Sequence, residues 1–119
     1  MINFKKLKVW QLGFDIAREC YGLVAFYPGD ERFVLKNQIT RSAISIPANI
    51  AEGSSRKSTK EYAHFLEISL GSSYELETHL LLGEALGYGD LNKTKSILYD
   101  LNTEQKMLLS LINKIKNSF

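Results

Sequence analysis

A chain of 119 residues, 45% apolar and 24% charged with eight glycines and two prolines, reads as one globular domain over residues 1–119 and excludes a collagen-like, low-complexity or disordered chain and separate cofactor and substrate domains. Fifteen bases against thirteen acids give a net charge of +2 and a pI near 8.6, milder than a dedicated nucleic-acid domain usually carries. The one cysteine, Cys20, cannot close an internal disulfide; the apolar stretch after Lys5, Lys6 and Lys8 is broken at Gln11, Gly13 and Asp15; and no apolar run approaches the ~20 residues a bilayer needs, so a cytoplasmic protein without a signal peptide or membrane span is expected.

Turn formers gather at Pro28-Gly29-Asp30, Gly53-Ser54-Ser55 and Gly87-Tyr88-Gly89-Asp90, dividing the chain into four long segments. In the first, Leu7, Trp10, Phe14, Ala17, Tyr21 and Val24 recur at 3-4-3-4-3 spacing, with Val9, Ile16 and Leu23 widening the stripe, as in an amphipathic helix. Asp30 is placed to cap the second, where Leu35, Ile39, Ala43, Ile46 and Ile50 repeat at helical spacing. Pro47 removes a hydrogen bond to the Ala43 carbonyl and should kink this helix, with Ser42 or Ser45 as cover for that carbonyl. Ser58-Thr59-Lys60-Glu61 forms a capping box ahead of Tyr62, Phe65, Leu66, Ile68, Leu76, Leu80 and Leu82 in the third segment. Gly71-Ser72-Ser73 costs that helix ~1 kcal/mol of propensity at the glycine, which close approach to a neighbouring helix is expected to offset. Asp90 caps the fourth, with Leu91, Leu98, Leu101, Leu108, Ile112 and Ile115 as its stripe. Helices of ~20 to 30 residues joined by short turns bury such stripes against antiparallel neighbours, so the fold class is all-α, an antiparallel up-down-up-down four-helix bundle.

Residues 58–90 hold one base and six acids, whereas the stretches before and after are net basic. This contrast is satisfied as a solvated face, within one bundle, or between copies of the chain. Glu61 and His64 have the E-x-x-H spacing of metal-binding bundles. The one other histidine, His79, lies on the same helix ~22 Å away by helical rise, so no metal is expected. Nucleophile elbows, phosphate loops and dinucleotide fingerprints are missing, and Cys20 reads as a small buried apolar residue, so neither catalytic residues nor cofactors are expected and the chain is not read as an enzyme.

The second helix carries a polar stripe, Gln38, Arg41, Ser45, Asn49 and Glu52, at 3-4-4-3 spacing. These side chains suit directed hydrogen bonds, with Arg41 as a fork for Glu75 of the third helix or for Glu52 of a neighbouring copy. A structural network between helices or subunits is the expectation, with a ligand site and plain surface as alternatives. The loop Gly53–Lys60 is basic and hydroxyl-rich and ends at a helix N-terminus, where anions are attracted. Arg56, Lys57 and Lys60, extended by Lys5, Lys6 and Lys8, suit nucleic-acid phosphates; a capped, soluble turn is the plainer account.

Four strings run through nearly the whole chain: Leu7-x-Val9-Trp10-Gln11; Phe26-Tyr27-Pro28 with Glu31-Arg32-Phe33; Gln38-Ile39-x-Arg41-Ser42-Ala43-x-Ser45-Ile46-Pro47-Ala48-Asn49-Ile50-Ala51-Glu52-Gly53; and Phe65-Leu66-x-Ile68-x-x-Gly71-Ser72-x-x-Glu75-Leu76-Glu77-Thr78. Together they resemble the bacterial four-helix-bundle family encoded in intervening sequences of large-subunit ribosomal RNA genes, with the fourth helix matched by pattern alone. The resemblance implies a ring-like homopentamer and a likeness to accessory proteins of diversity-generating retroelements, which bind nucleic acid and a reverse transcriptase. The expected function is a non-catalytic, homo-oligomeric bundle that associates with RNA or DNA through basic patches. The alternative is a protein-interaction scaffold for a polymerase or ribosomal component.

Overall fold

The computed structural model describes residues 2–31 and 34–118, so Arg32 and Phe33 of the second string lie outside the described residues. A 3-10 turn, Phe4–Lys6, leads into α1 (Lys8–Val24); a second, Gly29–Glu31, precedes α2 (Leu35–Ser54); α3 (Thr59–Ala85) and α4 (Leu91–Lys116) follow. Each helix packs on the next and α4 closes back onto α1, giving the antiparallel up-down-up-down bundle, 46 × 22 × 20 Å.

Local chemistry sets two helix starts as expected. Ser58 Oγ accepts the Glu61 N–H at 3.1 Å and donates to the Glu61 carboxylate at 3.3 Å, while Asp90 Oδ1 accepts the Lys93 N–H at 2.9 Å. Asp30 does not cap α2. It belongs to the 3-10 turn, and Val34 holds the cap position without a side-chain bond. A cap reaches only two or three residues onward, and α2 starts five residues after Asp30. Gly87 and Gly89 take φ of +76° and +74°, values that favour glycine, in the turn from α3 to α4.

The second helix buries its stripe as expected: Leu35, Ile39, Ala43, Ile46 and Ile50 are all in the core. In α3 and α4 the inward residues are Tyr62, Leu66, Leu76, Leu80, Leu101, Leu108 and Ile112, whereas Ile68, Leu82 and Leu91 face solvent. The first helix corrects the sequence reading. Its buried line is Val9, Gly13, Ile16, Ala17, Cys20, Leu23 and Val24, and Phe14 and Tyr21 are 49% and 54% exposed. Two apolar stripes lie side by side on α1, and the one with small residues goes inside because it admits close neighbours. A Cβ on Gly13 would stand 2.7 Å from Glu104 Oε2 and 3.2 Å from Ile46 Cγ2.

The contact between α2 and α3 also differs in detail. Ser42 Oγ donates to the Gln38 and Ile39 carbonyls and Ser45 turns to Ser72, so neither covers Ala43. Gly71 is exposed, with nothing within 4 Å of a Cβ placed there, so close packing does not explain it. The close approach is made by buried Ser69, whose Oγ donates to the Ile46 carbonyl at 2.9 Å, and by Gly53, where a Cβ would stand 2.8 Å from the Phe65 Cβ.

Candidate nucleic-acid interface

An antiparallel bundle brings the start of α1, the end of α2, the start of α3 and the end of α4 to one place. Ile2 lies in a recess with Ser54, Arg56, Lys57, Ser58, Thr59 and Tyr62. Beside it, Lys8, Lys106 and Lys114 rim a groove of about 490 Å³ between α1 and α4, floored by Leu7, Val9, Met107 and Leu111. Lys5, Lys6 and Lys8 thus share one end of the bundle with Arg56, Lys57 and Lys60 from far along the sequence, and all six are exposed. Lys106 and Lys114 extend the cluster and escape the sequence reading. Their separation of eight residues places them on one face of α4, but only the groove shows that this face adjoins Lys8.

Arg56 bonds to Glu52 at 2.7 Å and lies over the Phe65 ring at 4.7 Å, and Lys116 pairs with Glu67 at 3.1 Å. Lys5, Lys6, Lys8, Lys57, Lys60, Lys106 and Lys114 enter no ion pair among the described residues. A concave, apolar-floored groove rimmed by unpaired cations attracts polyanions, and its attraction weakens with salt.

The polar stripe of α2 divides in two. Ser45 Oγ meets Ser72 Oγ at 2.8 Å, linking α2 to α3, and within α2 Asn49 Nδ2 donates to the carbonyl and hydroxyl oxygens of Ser45 at 2.8 and 2.9 Å. Gln38, Arg41 and Glu75 are exposed, neither Arg41 nor Glu75 has an ion pair among the described residues, and Glu52 turns to Arg56 on its own helix. Among the described residues no three His, Cys, Asp or Glu side chains converge as metal ligands. Burial pushes the Cys20 thiol up to about 12, which suppresses the reactive thiolate.

One polar residue was missed from the sequence. Glu104 is 0% exposed, and neither carboxyl oxygen has a hydrogen-bond partner among the described residues. Burial raises its pKa to about 8, so the group is mostly protonated at neutral pH. Next to it, Gln105 donates to Glu77 Oε1 at 2.9 Å. The available signal was spacing: Ile97, Leu101, Glu104, Leu108 and Ile112 follow 4-3-4-4, so Glu104 occupies a core position of α4.

The chain is similar to a protein of unknown function from the S23 ribosomal protein family of Bacteroides thetaiotaomicron, whose crystal structure superposes with a TM-score of 0.81 at 30% identity, covering 87% of this chain and 97% of that one. No curated protein matches. The sequence profile of the 23S rRNA-intervening sequence protein family matches residues 5–110. With the profile spanning nearly the whole bundle and the fold matched in the solved relative, the chain belongs to the 23S rRNA-intervening sequence protein family.

Proposed function

We propose that this protein is a non-catalytic, oligomeric bundle that associates with RNA by holding its phosphates at the basic end. The observation that carries the reading is the meeting of Lys5, Lys6, Lys8, Arg56, Lys57 and Lys60, distant in sequence, with Lys106 and Lys114 around one groove-bearing end. Lysine recognises phosphate as a point charge and reads no base, so binding is weak per site, steep in salt and nearly indifferent to sequence. Copies in a homo-oligomer, a pentamer by resemblance, repeat the patch and gain from multivalency. The test is RNA binding by fluorescence anisotropy across a salt series. Replacing Arg56, Lys57 and Lys60 by Gln is expected to weaken binding and flatten the slope of log K against log salt by about 2, at roughly 0.7 per lost single-strand phosphate contact. An unchanged slope reduces the loop to a turn. A stable 13.5 kDa species in light scattering at micromolar concentration removes the oligomer from the reading.

A protein-interaction scaffold is the second reading, favoured by Leu81, Leu82, Leu86 and Leu91, which are about half exposed around the turn from α3 to α4. Stoichiometric co-purification of one protein, lost on replacing Leu82 and Leu86 by Ser, supports it.

A further inference from the structure

Phe14 and Tyr21, which α1 turns outward, continue an aromatic row that starts at half-buried Phe4 and Trp10 beside the basic cluster. Phe4 precedes Lys5 and Lys6 in the first 3-10 turn, and Lys5 Nζ lies 6.0 Å from its ring centroid. The Phe4 ring meets Trp10 edge-on with centroids 5.2 Å apart, and Trp10 meets Phe14 at 5.2 Å with the planes tilted by 32°. Phe14 and Tyr21, about half exposed, then line a cleft of about 270 Å³ with Ala17, Arg18, Ile44 and Pro47. The two rings are roughly 10 Å apart along the helix by its rise, comparable to one or two nucleotides of an extended strand.

Charge along the row favours a polyanion. The two acids of α1 are both paired, Asp15 with Arg18 at 3.2 Å and Glu19 with Lys93 of α4 at 3.4 Å, so neither opposes an approaching phosphate. Arg41, one turn before Ile44 on α2, has no ion pair among the described residues. An aromatic row, half-buried at Phe4 and Trp10 and exposed at Phe14 and Tyr21, that is continuous with unpaired lysines is the arrangement that receives a strand whose phosphates meet cations while its bases find rings.

We propose that the Phe4–Trp10–Phe14 row, continued by Tyr21, is a stacking platform for the bases of a single strand, so that the ligand of the basic end is single-stranded RNA rather than a duplex. This inference rests on the phosphate-binding reading of that end. A duplex keeps its base faces stacked on each other and offers the row nothing but backbone, whereas an unpaired strand splays its bases onto aromatic surfaces of any sequence.

Trp10 is the one tryptophan of the chain, so its emission reports on the row without any substitution. Titration with oligo(U) of about 20 nucleotides is expected to quench and shift that emission to saturation, and a duplex of equal length is expected to leave it unchanged. Phe14→Ser and Tyr21→Ser, at exposed positions, are each expected to weaken oligo(U) binding about tenfold while molecular mass, helicity and the salt slope stay as in the parent. If single strand and duplex bind alike and Trp10 does not respond, the stacking inference falls and the phosphate-binding reading stands. If neither binds at low salt, both fall. If the two variants change the molecular mass, the row is a contact between copies or with a protein, and the stacking inference falls.

Discussion

The serines between α2 and α3 and Glu104 of α4 are buried in opposite ways. Where α2 meets α3, each buried or half-buried serine hydroxyl has a partner within the protein: Ser69 on the Ile46 carbonyl, Ser45 on Ser72, Ser54 on the Ala51 carbonyl and Ser73 on the Leu70 carbonyl. In α4, Glu104 lies against Gly13 of α1 with both oxygens unpartnered among the described residues. A hydroxyl is short and neutral and reaches its own helix backbone, so it is buried at little cost. A carboxyl on a longer stem meets apolar walls here and is accommodated by keeping its proton. The buried serines are therefore indifferent to pH and Glu104 is not.

The largest expected effect breaks that asymmetry at Glu104. Its pKa rises from the ordinary 4.5 to about 8 on folding, so between these values the folded chain holds a proton that the unfolded chain has released. Stability from this group is full below about pH 4.5 and falls as pH rises through about 8, by up to ~1.4 kcal/mol per pH unit, on the order of 3 kcal/mol by pH 7. No charge offsets this, because burial is the one cause of the shift. Of the charged side chains around this position, Lys8, Asp15 and Arg18 of α1, Arg41 and Glu52 of α2, Glu67 and Glu75 of α3, and Lys106 of α4 are exposed, while Asp100, one turn before Glu104, is half-buried and half-buried Glu77 bonds to Gln105. Urea melts at pH 5 and pH 8 are expected to separate strongly for the parent and to coincide for Glu104→Gln; equal separation in both places the titrating group elsewhere. The same contact sets the sign of Gly13→Ala. Its methyl group would press on the carboxyl and Ile46 and cost ~1–3 kcal/mol, whereas in a Glu104→Ala background the contact with Ile46 alone remains and the ~1 kcal/mol of helix propensity offsets most of the cost. A double-mutant cycle with additive effects would mean the two residues do not share that space.

What was legible in the sequence divides along similar lines. The caps at Ser58 and Asp90 and the α2 stripe depend on residues within a turn or two of each other, so local spacing suffices. The inward face of α1 was not legible because Trp10, Phe14 and Tyr21 keep the helical period as faithfully as Val9, Ile16 and Leu23, and hydrophobicity favours the larger rings. The choice falls to Gly13, Ala17 and Cys20, whose small size matters only when α2 and α4 stand beside them. Glu104 was hidden by composition, since a glutamate in a polar helix reads as solvated although its position continues a core stripe. The basic end was legible as the loop patch of Arg56, Lys57 and Lys60 extended by Lys5, Lys6 and Lys8, whereas the addition of Lys106 and Lys114 follows from helix direction.

A smaller effect sharpens the contrast from the other side. Ser69→Ala removes the hydrogen bond from α3 to the Ile46 carbonyl and is expected to cost about 1 kcal/mol. Because a hydroxyl does not titrate in this range, the cost should be equal at pH 5 and pH 8. A cost that grows with pH would tie Ser69 to the Glu104 proton and join the two into one network.

The smallest effect on a single chain is expected at Arg41. Its guanidinium is exposed and has no ion pair among the described residues, so Arg41→Ala should change the stability of one chain by less than about 0.5 kcal/mol. Its five donors nonetheless stand in line with Ser45, which ties α2 to α3 through Ser72, and with Asn49, which donates to Ser45. In an oligomer the natural partners for that fork are carboxylates of another copy, with exposed Glu75 of the acid-rich α3 the nearest match in charge. Sizing across a dilution series should therefore shift Arg41→Ala toward 13.5 kDa at concentrations where the parent stays assembled, with circular dichroism unchanged in both. An unchanged mass leaves Arg41 as solvated surface and confines the polar network to Ser45, Asn49 and Ser72. A lowered melting temperature in the dissociated chain would instead mean that Arg41 stabilises the individual bundle.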